Sequence, residues 1–128
     1  MGGFYESDRA VSEYLFFHYG SPEELLPWGI GPKTALNYPV RCVTELLETS
    51  RGSGNARALD LGCAVGRSTF ELARHCDEVI GIDFSQRFVE EGRRLQVDGQ
   101  APCSYVVEGD LLREEIAKVD AGIDRSRV

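Results

Sequence analysis

The sequence lacks any apolar run approaching the roughly 20 residues of a membrane-spanning helix, and its N-terminus has no signal-peptide hydrophobic region. No membrane partner is expected. It has no C-x-x-C pair: Cys42, Cys63, Cys76 and Cys103 lie far apart, and only His18 and His75 are available to join them around a metal. The cysteines read as reduced thiols of a cytoplasmic protein, with no metal site. Basic residues are in deficit, 14 Lys and Arg against 21 Asp and Glu, and the net charge of -7 argues against a nucleic-acid partner, which would call for a basic surface. Repeats and low-complexity tracts are absent too. What remains, at 128 residues and 42% hydrophobic content, is ordinary globular composition, enough for one core.

The informative stretch runs from Ala58 to Ser85. Ala58, Leu59 and Leu61 form a short apolar run ending at Gly62, and Val79, Ile80 and Ile82 form another ending at Asp83. Such bounded runs suit parallel strands buried on both faces. Between them Arg67 to His75 has room for a short helix, making one βαβ unit whose right-handed crossover brings the glycine loop and Asp83 to the same carboxyl edge. A dinucleotide loop needs G-x-G-x-x-G, but Ala64 and Arg67 occupy the third and sixth positions counted from Gly62, so an NAD(P)-dependent oxidoreductase loses its fingerprint. The pattern present is D-x-G-x-x-x-G, with Asp60 before the first glycine and Asp83 21 residues after it. Gly62 and Gly66 allow close backbone approach, and Asp83 can accept both hydroxyls of a ribose. A ligand with an ammonium group, an uncharged linkage and a ribose fits, and S-adenosylmethionine has those parts.

This segment resembles motif I and the following acidic strand end of class I S-adenosylmethionine-dependent methyltransferases, with Ala64 in place of the usual middle glycine. The resemblance implies a Rossmann-like α/β fold and a cofactor site at Asp60, Gly62, Cys63, Ala64, Gly66, Asp83 and Phe84. It extends further. Y-E-S-D-R-A-V-S-E-Y-L-F-F-H-Y-G, P-V-R-C-V-T-E-L-L, L-D-L-G-C-A-V-G-R-S-T-F-E-L-A-R, G-I-D-F-S-Q-R-F and I-D-R-S-R-V together resemble the 4-mercaptohistidine N1-methyltransferases of ovothiol biosynthesis, which also occur as the C-terminal domain of some 5-histidylcysteine sulfoxide synthases. These stretches match about the first half of that family's methyltransferase domain, so a truncated fold is expected. The implied reaction is methylation of a small molecule at an imidazole nitrogen. The other-class alternative is a non-catalytic domain that binds cofactor weakly or associates with a partner.

Elsewhere, Ser7 to Tyr19 reads as a helix, and Ser21-Pro22-Glu23-Glu24 as a capping box opening a second. Asn37 is placed as the cap of a third, with Val40, Val43, Leu46 and Leu47 on its apolar face. Residues 51–55 read as a turn separating an N-terminal helical cap, 1–55, from the first part of the cofactor-binding domain, 56–128. After Asp83, Ser85 is expected to cap a helix to about Gln96. A loop over 98–102, a short strand over 104–107 and a helix capped by Asp110 and carrying Leu112, Ile116 and Val119 are expected to follow. By resemblance the N-terminal helices roof the cofactor, bringing Tyr5, Tyr14, Phe17, His18 and Tyr19 near it. The spacing of Tyr14 and His18 equally fits an ordinary packed face. No residue stands out as catalytic, and nothing indicates oligomeric state.

Overall fold

The computed structural model describes residues 3–48 and 55–128; all of the turn expected over 51–55 except Asn55 lies outside them. After a 3-10 turn at Phe4–Glu6 come α1 (Asp8–Tyr19), α2 (Pro22–Leu25) and α3 (Tyr38–Leu46), then β1 (Arg57–Leu61), α4 (Arg67–Leu72), β2 (Glu78–Ile82), α5 (Gln86–Asp98), β3 (Gln100–Glu108) and β4 (Leu111–Lys118). A 3-10 turn at Arg125–Arg127 follows.

The helix starts follow their local chemistry. Ser7 accepts from the Ala10 N–H, Ser21 and Glu24 form a reciprocal capping box, and Ser85 accepts from Phe88. Each satisfies an amide that the first helical turn leaves unpaired. Asn37 corrects expectation: it stands at the cap position with φ 55° and makes no side-chain cap bond. Asparagine tolerates this left-handed backbone better than most side chains, and it serves there as a corner.

β1 and β2 pair in parallel, with Asp60 opposite Gly81 and Leu61 opposite Ile82. Their inner face meets α4 and the core; Val65, Phe70, Val79 and Leu95 are at most 2% exposed. Expectation fails on the outer face, where Leu59, Leu61, Ile80 and Ile82 are 45–69% exposed among the described residues. Alternation in each strand sends these side chains away from α4, and Leu59 and Leu61 line an open cavity across from α3.

The larger correction is the C-terminal third. Residues 98–102 do not form a loop: α5 runs through Asp98, closes on Gly99, and β3 starts at once. No helix follows Asp110. Leu111–Lys118 is instead a strand antiparallel to β3, with an irregularity between Val106 and Glu108, and Asp110 lies in the turn between the two strands. The run L-L-R-E-E-I-A-K has helix-favouring composition, but a cross-strand ladder and a seat against α1 outweigh propensity. Ala101, Cys103 and Ala117 are buried in the same core as Ala10, Val11 and Leu15 of α1.

One tie joins the N-terminus to the parallel unit. The Ser85 hydroxyl, on a residue 2% exposed, accepts from Phe88 N–H at 3.1 Å and donates to the Tyr5 carbonyl at 3.0 Å. Replacing Ser85 by Ala removes both bonds and is expected to cost about 1–2 kcal/mol, the upper part of the range for a lost cap. Urea denaturation checks it, and a loss under about 0.3 kcal/mol would mean that Ser85 anchors nothing.

Candidate functional site

The turn out of β1 is held down on the end of β2. Gly62 and Cys63 both donate their N–H to the Ile82 carbonyl, at 2.8 and 3.0 Å, and Gly66 N–H closes the turn on the Cys63 carbonyl at 2.8 Å. Asp83 completes the clamp: one carboxylate oxygen accepts from Ala64 N–H at 2.9 Å and the other from Ser85 N–H at 2.8 Å. Gly62, Ala64 and Gly66 have φ of 77°, 46° and 83°. Ala64 thus holds a backbone conformation costing an L-residue about 1–2 kcal/mol, and its bond to Asp83 helps to offset that.

Asp60 is positioned from the other side. The Thr69 hydroxyl on α4 donates to it at 2.7 Å. This needs Gly81, because a Cβ there would lie 2.9 Å from Thr69 Oγ1 and 3.0 Å from Cys63 Cβ. Sequence reasoning missed both residues; Thr69 follows Asp60 by nine positions with no motif to mark it.

Beside the loop is an open cavity of about 550 Å³. Asp60, Gly62, Cys63 and Ala64 line it, facing Tyr14 and His18 from α1 and Tyr38, Cys42 and Leu46 from α3. The remaining sequence-predicted residues stand outside its lining. Gly66 is buried under the Phe70 ring, Asp83 sits behind the loop it clamps, and Phe84 projects fully exposed at the carboxyl edge. Of the N-terminal aromatics, Tyr14 serves both packing and the cavity: its ring lies 4.6 Å from Phe88 and 5.3 Å from His18.

Electrostatics sort the candidates. Burial, then the charges of Asp60 and Asp83, push the Cys63 thiol up to about 11, so it is a protonated thiol at neutral pH and no nucleophile. Tyr14 is raised, first by burial, then by Tyr5 and by Asp83. Burial and the Arg67 charge press His18 down to about 4, leaving a neutral imidazole at physiological pH. Among the described residues no cluster of three metal-ligating side chains occurs, and no helix is long and apolar enough to cross a membrane.

A glycine-turned strand end, a helix starting behind it and an acid closing the next strand define a Rossmann-like class I methyltransferase. The chain belongs to the methyltransferase domain family, whose match covers residues 58–125, just over half of its length. The cofactor is S-adenosylmethionine. No curated protein matches the chain. Among solved structures it is similar to Haemonchus contortus phosphoethanolamine N-methyltransferase 1, solved with phosphoethanolamine and S-adenosylhomocysteine, at 17% identity and a TM-score of 0.39. That match takes in 71% of this chain and 19% of the other, so the chain spans about a fifth of that protein's length.

The residues present suit the cofactor. A Cβ on Gly62 would meet nothing within 4 Å, so the backbone there is open to a ligand at the cavity edge. Each Asp83 oxygen has one protein donor and a second lone pair to spare.

Two outcomes follow. Gly81→Ala should displace Thr69 or Cys63, cut S-adenosylhomocysteine affinity about tenfold by calorimetry and leave the circular dichroism spectrum intact; unchanged affinity would show that the crowding at Gly81 is irrelevant to the site. His18 is depressed from 6.5 to about 4 in the folded protein, so between those pH values only the unfolded chain takes up its proton. Stability from this group is therefore present above pH 6.5 and falls by about 3 kcal/mol as pH drops to 4. Denaturation curves of His18→Gln should lack that part of the acid loss.

Proposed function

We propose that this chain binds S-adenosylmethionine through Asp60, Gly62, Cys63, Ala64, Gly66, Asp83 and Phe84 and methylates a small molecule, the imidazole nitrogen of 4-mercaptohistidine in ovothiol biosynthesis. In this reading residues 1–55 are a helical cap over a cofactor-binding part, 56–128, and the protein works in the cytoplasm without a nucleic-acid or membrane partner. The observation that carries it is the cavity in which Asp60 and the glycine loop face Tyr14 and His18. The acceptor rests on the sequence resemblance.

The cofactor supplies, when bound, an electrophilic methyl group on a sulfonium. The chain's own residues do the rest. Asp60, held by Thr69, offers its remaining acceptor capacity to the ammonium of the amino-acid end. Asp83 accepts from ribose hydroxyls with the lone pairs its two backbone donors leave, and exposed Phe84 offers a flat face beside it. The protonated Cys63 does not compete with the acceptor as a nucleophile. Tyr14 and the apolar residues of α3 exclude water and orient the acceptor, the main contribution such a site makes to a displacement.

A second reading has an observation of its own. The exposed face of Leu59, Leu61, Ile80 and Ile82 suits a non-catalytic domain that binds cofactor or associates through its sheet.

Calorimetry with S-adenosylmethionine and NAD, followed by methyl transfer to 4-mercaptohistidine and to histidine, tests the proposal. Binding of the first cofactor alone and transfer to the thiolated acceptor are expected. Asp83→Ala should weaken cofactor binding at least about tenfold, with a fall in stability of about 3 kcal/mol or more from its two lost charge-assisted backbone bonds, so binding is measured under conditions where circular dichroism shows the variant folded. Preferential NAD binding would end the methyltransferase proposal, and binding without transfer to any small acceptor would favour the non-catalytic domain.

A further inference from the structure

Where α1 meets the start of α4, three buried nitrogens have no hydrogen-bond partner: His18 Nδ1, Arg67 Nε and Arg67 Nη1. Arg67 stacks over the Tyr19 ring, 5.4 Å from its centroid, and Tyr19 is itself fixed by donating its hydroxyl to the Val65 carbonyl at 2.9 Å. Unpaired buried polar atoms cost about 1–3 kcal/mol each, so three together call for a use. His18 also lines the cavity beside Cys63 and Asp60, and its second ring nitrogen, Nε2, is neither buried nor bonded. The imidazole therefore has an enclosed nitrogen and an open one.

We propose that His18 recognises the methyl acceptor, its Nε2–H donating a hydrogen bond to an anionic group of that small molecule, while Arg67 acts from behind as a positioning residue that fixes the tautomer. This rests on the small-molecule methyltransferase reading above. The tautomer follows from the surroundings. The Arg67 charge acting on His18 favours a lone pair over a proton on the enclosed, unpaired Nδ1, which leaves the single proton of a neutral imidazole on Nε2. The other titratable groups around the cavity are Tyr14 on α1, Tyr38 and Cys42 on α3, and Asp60 and Cys63 of β1 and its loop. Held at about 4, His18 is a poor proton acceptor at neutral pH, which separates a recognising donor from a general base. The Tyr14 ring, 5.3 Å from it and tilted by 55°, keeps the imidazole plane in place.

Nitrogen NMR of the full chain loaded with S-adenosylhomocysteine tests this, using 4-mercaptohistidine and histidine as probes. The chain has two histidines, so a His75→Asn variant assigns the signals directly. Expected are a protonated Nε2, an unprotonated Nδ1, and a shift of the Nε2–H signal on saturation with a probe. A shift with both probes identifies the carboxylate as the recognised group, and one with 4-mercaptohistidine alone identifies the sulfur. Arg67→Met should raise the His18 midpoint measurably, burial still holding it below 6.5, and redistribute the tautomers. His18→Leu should lose about tenfold in probe affinity, with cofactor affinity kept, and His18→Gln, which retains an N–H donor, should recover most of it. A bound probe that leaves the His18 signals unmoved, or binds His18→Leu as tightly as the parent, overturns the inference alone. Cofactor binding with neither probe bound overturns it together with the proposed acceptor, and absence of cofactor binding overturns the methyltransferase reading itself.

Discussion

The carboxylate of Asp83, accepting from Ala64 on one side and Ser85 on the other, is the contact from which the rest of the site is organised. It ties the end of β2 to the loop leaving β1, holds an alanine in a left-handed conformation, and delivers Ser85 to the cap of α5. Charge-assisted bonds of this kind are about twice as strong as neutral ones, enough to offset the strain at Ala64. Ser85 passes the constraint on to the Tyr5 carbonyl, so the N-terminal segment is registered against the same strand end. The residue best suited to hold a ribose is thus already engaged in holding the loop, and site and scaffold share one carboxylate.

A second layer of order comes from crowding. Gly81 leaves no space above Thr69 and Cys63, so α4 and the loop settle onto β2 at a distance set by a missing Cβ. That seat aims the Thr69 hydroxyl at Asp60 and encloses the Cys63 thiol between two acids, where it stays protonated. Opposite, a row of rings runs from exposed Tyr5 through buried Phe88 to Tyr14 and His18 at the cavity wall. Burial and the nearby guanidinium keep the last of these neutral, so the cavity pairs one acid, Asp60, on the loop side with an uncharged imidazole on the helix side.

The parts legible in sequence were those governed by neighbours in the chain. The βαβ unit, the caps at Ser7, Ser21 and Ser85 and the glycine loop all follow from residues within a few positions of one another. The hairpin of β3 and β4 was not legible, because Leu111–Lys118 carries apolar residues at spacings compatible with a helix and only its partner strand and α1 select the extended form. The exposed outer face of β1 and β2 escaped for a similar reason: an apolar run says that a strand is suited to burial, not what covers it.

By itself the sequence determined the chemistry on offer: two acids and a glycine-bordered turn at the right separation for a nucleoside with a charged amino-acid end, which led to the methyltransferase family. Only the tertiary structure decided how those groups are used. Thr69 was assigned to Asp60, Gly81 to the close seat of the loop, and the Arg67 charge to the enclosed His18, through interactions between residues separated by 9 to about 50 positions. Local pattern carries hydrogen-bond and turn preferences, which act over one or two helical turns, whereas burial and the pairing of buried polar groups depend on which distant segments the core brings together.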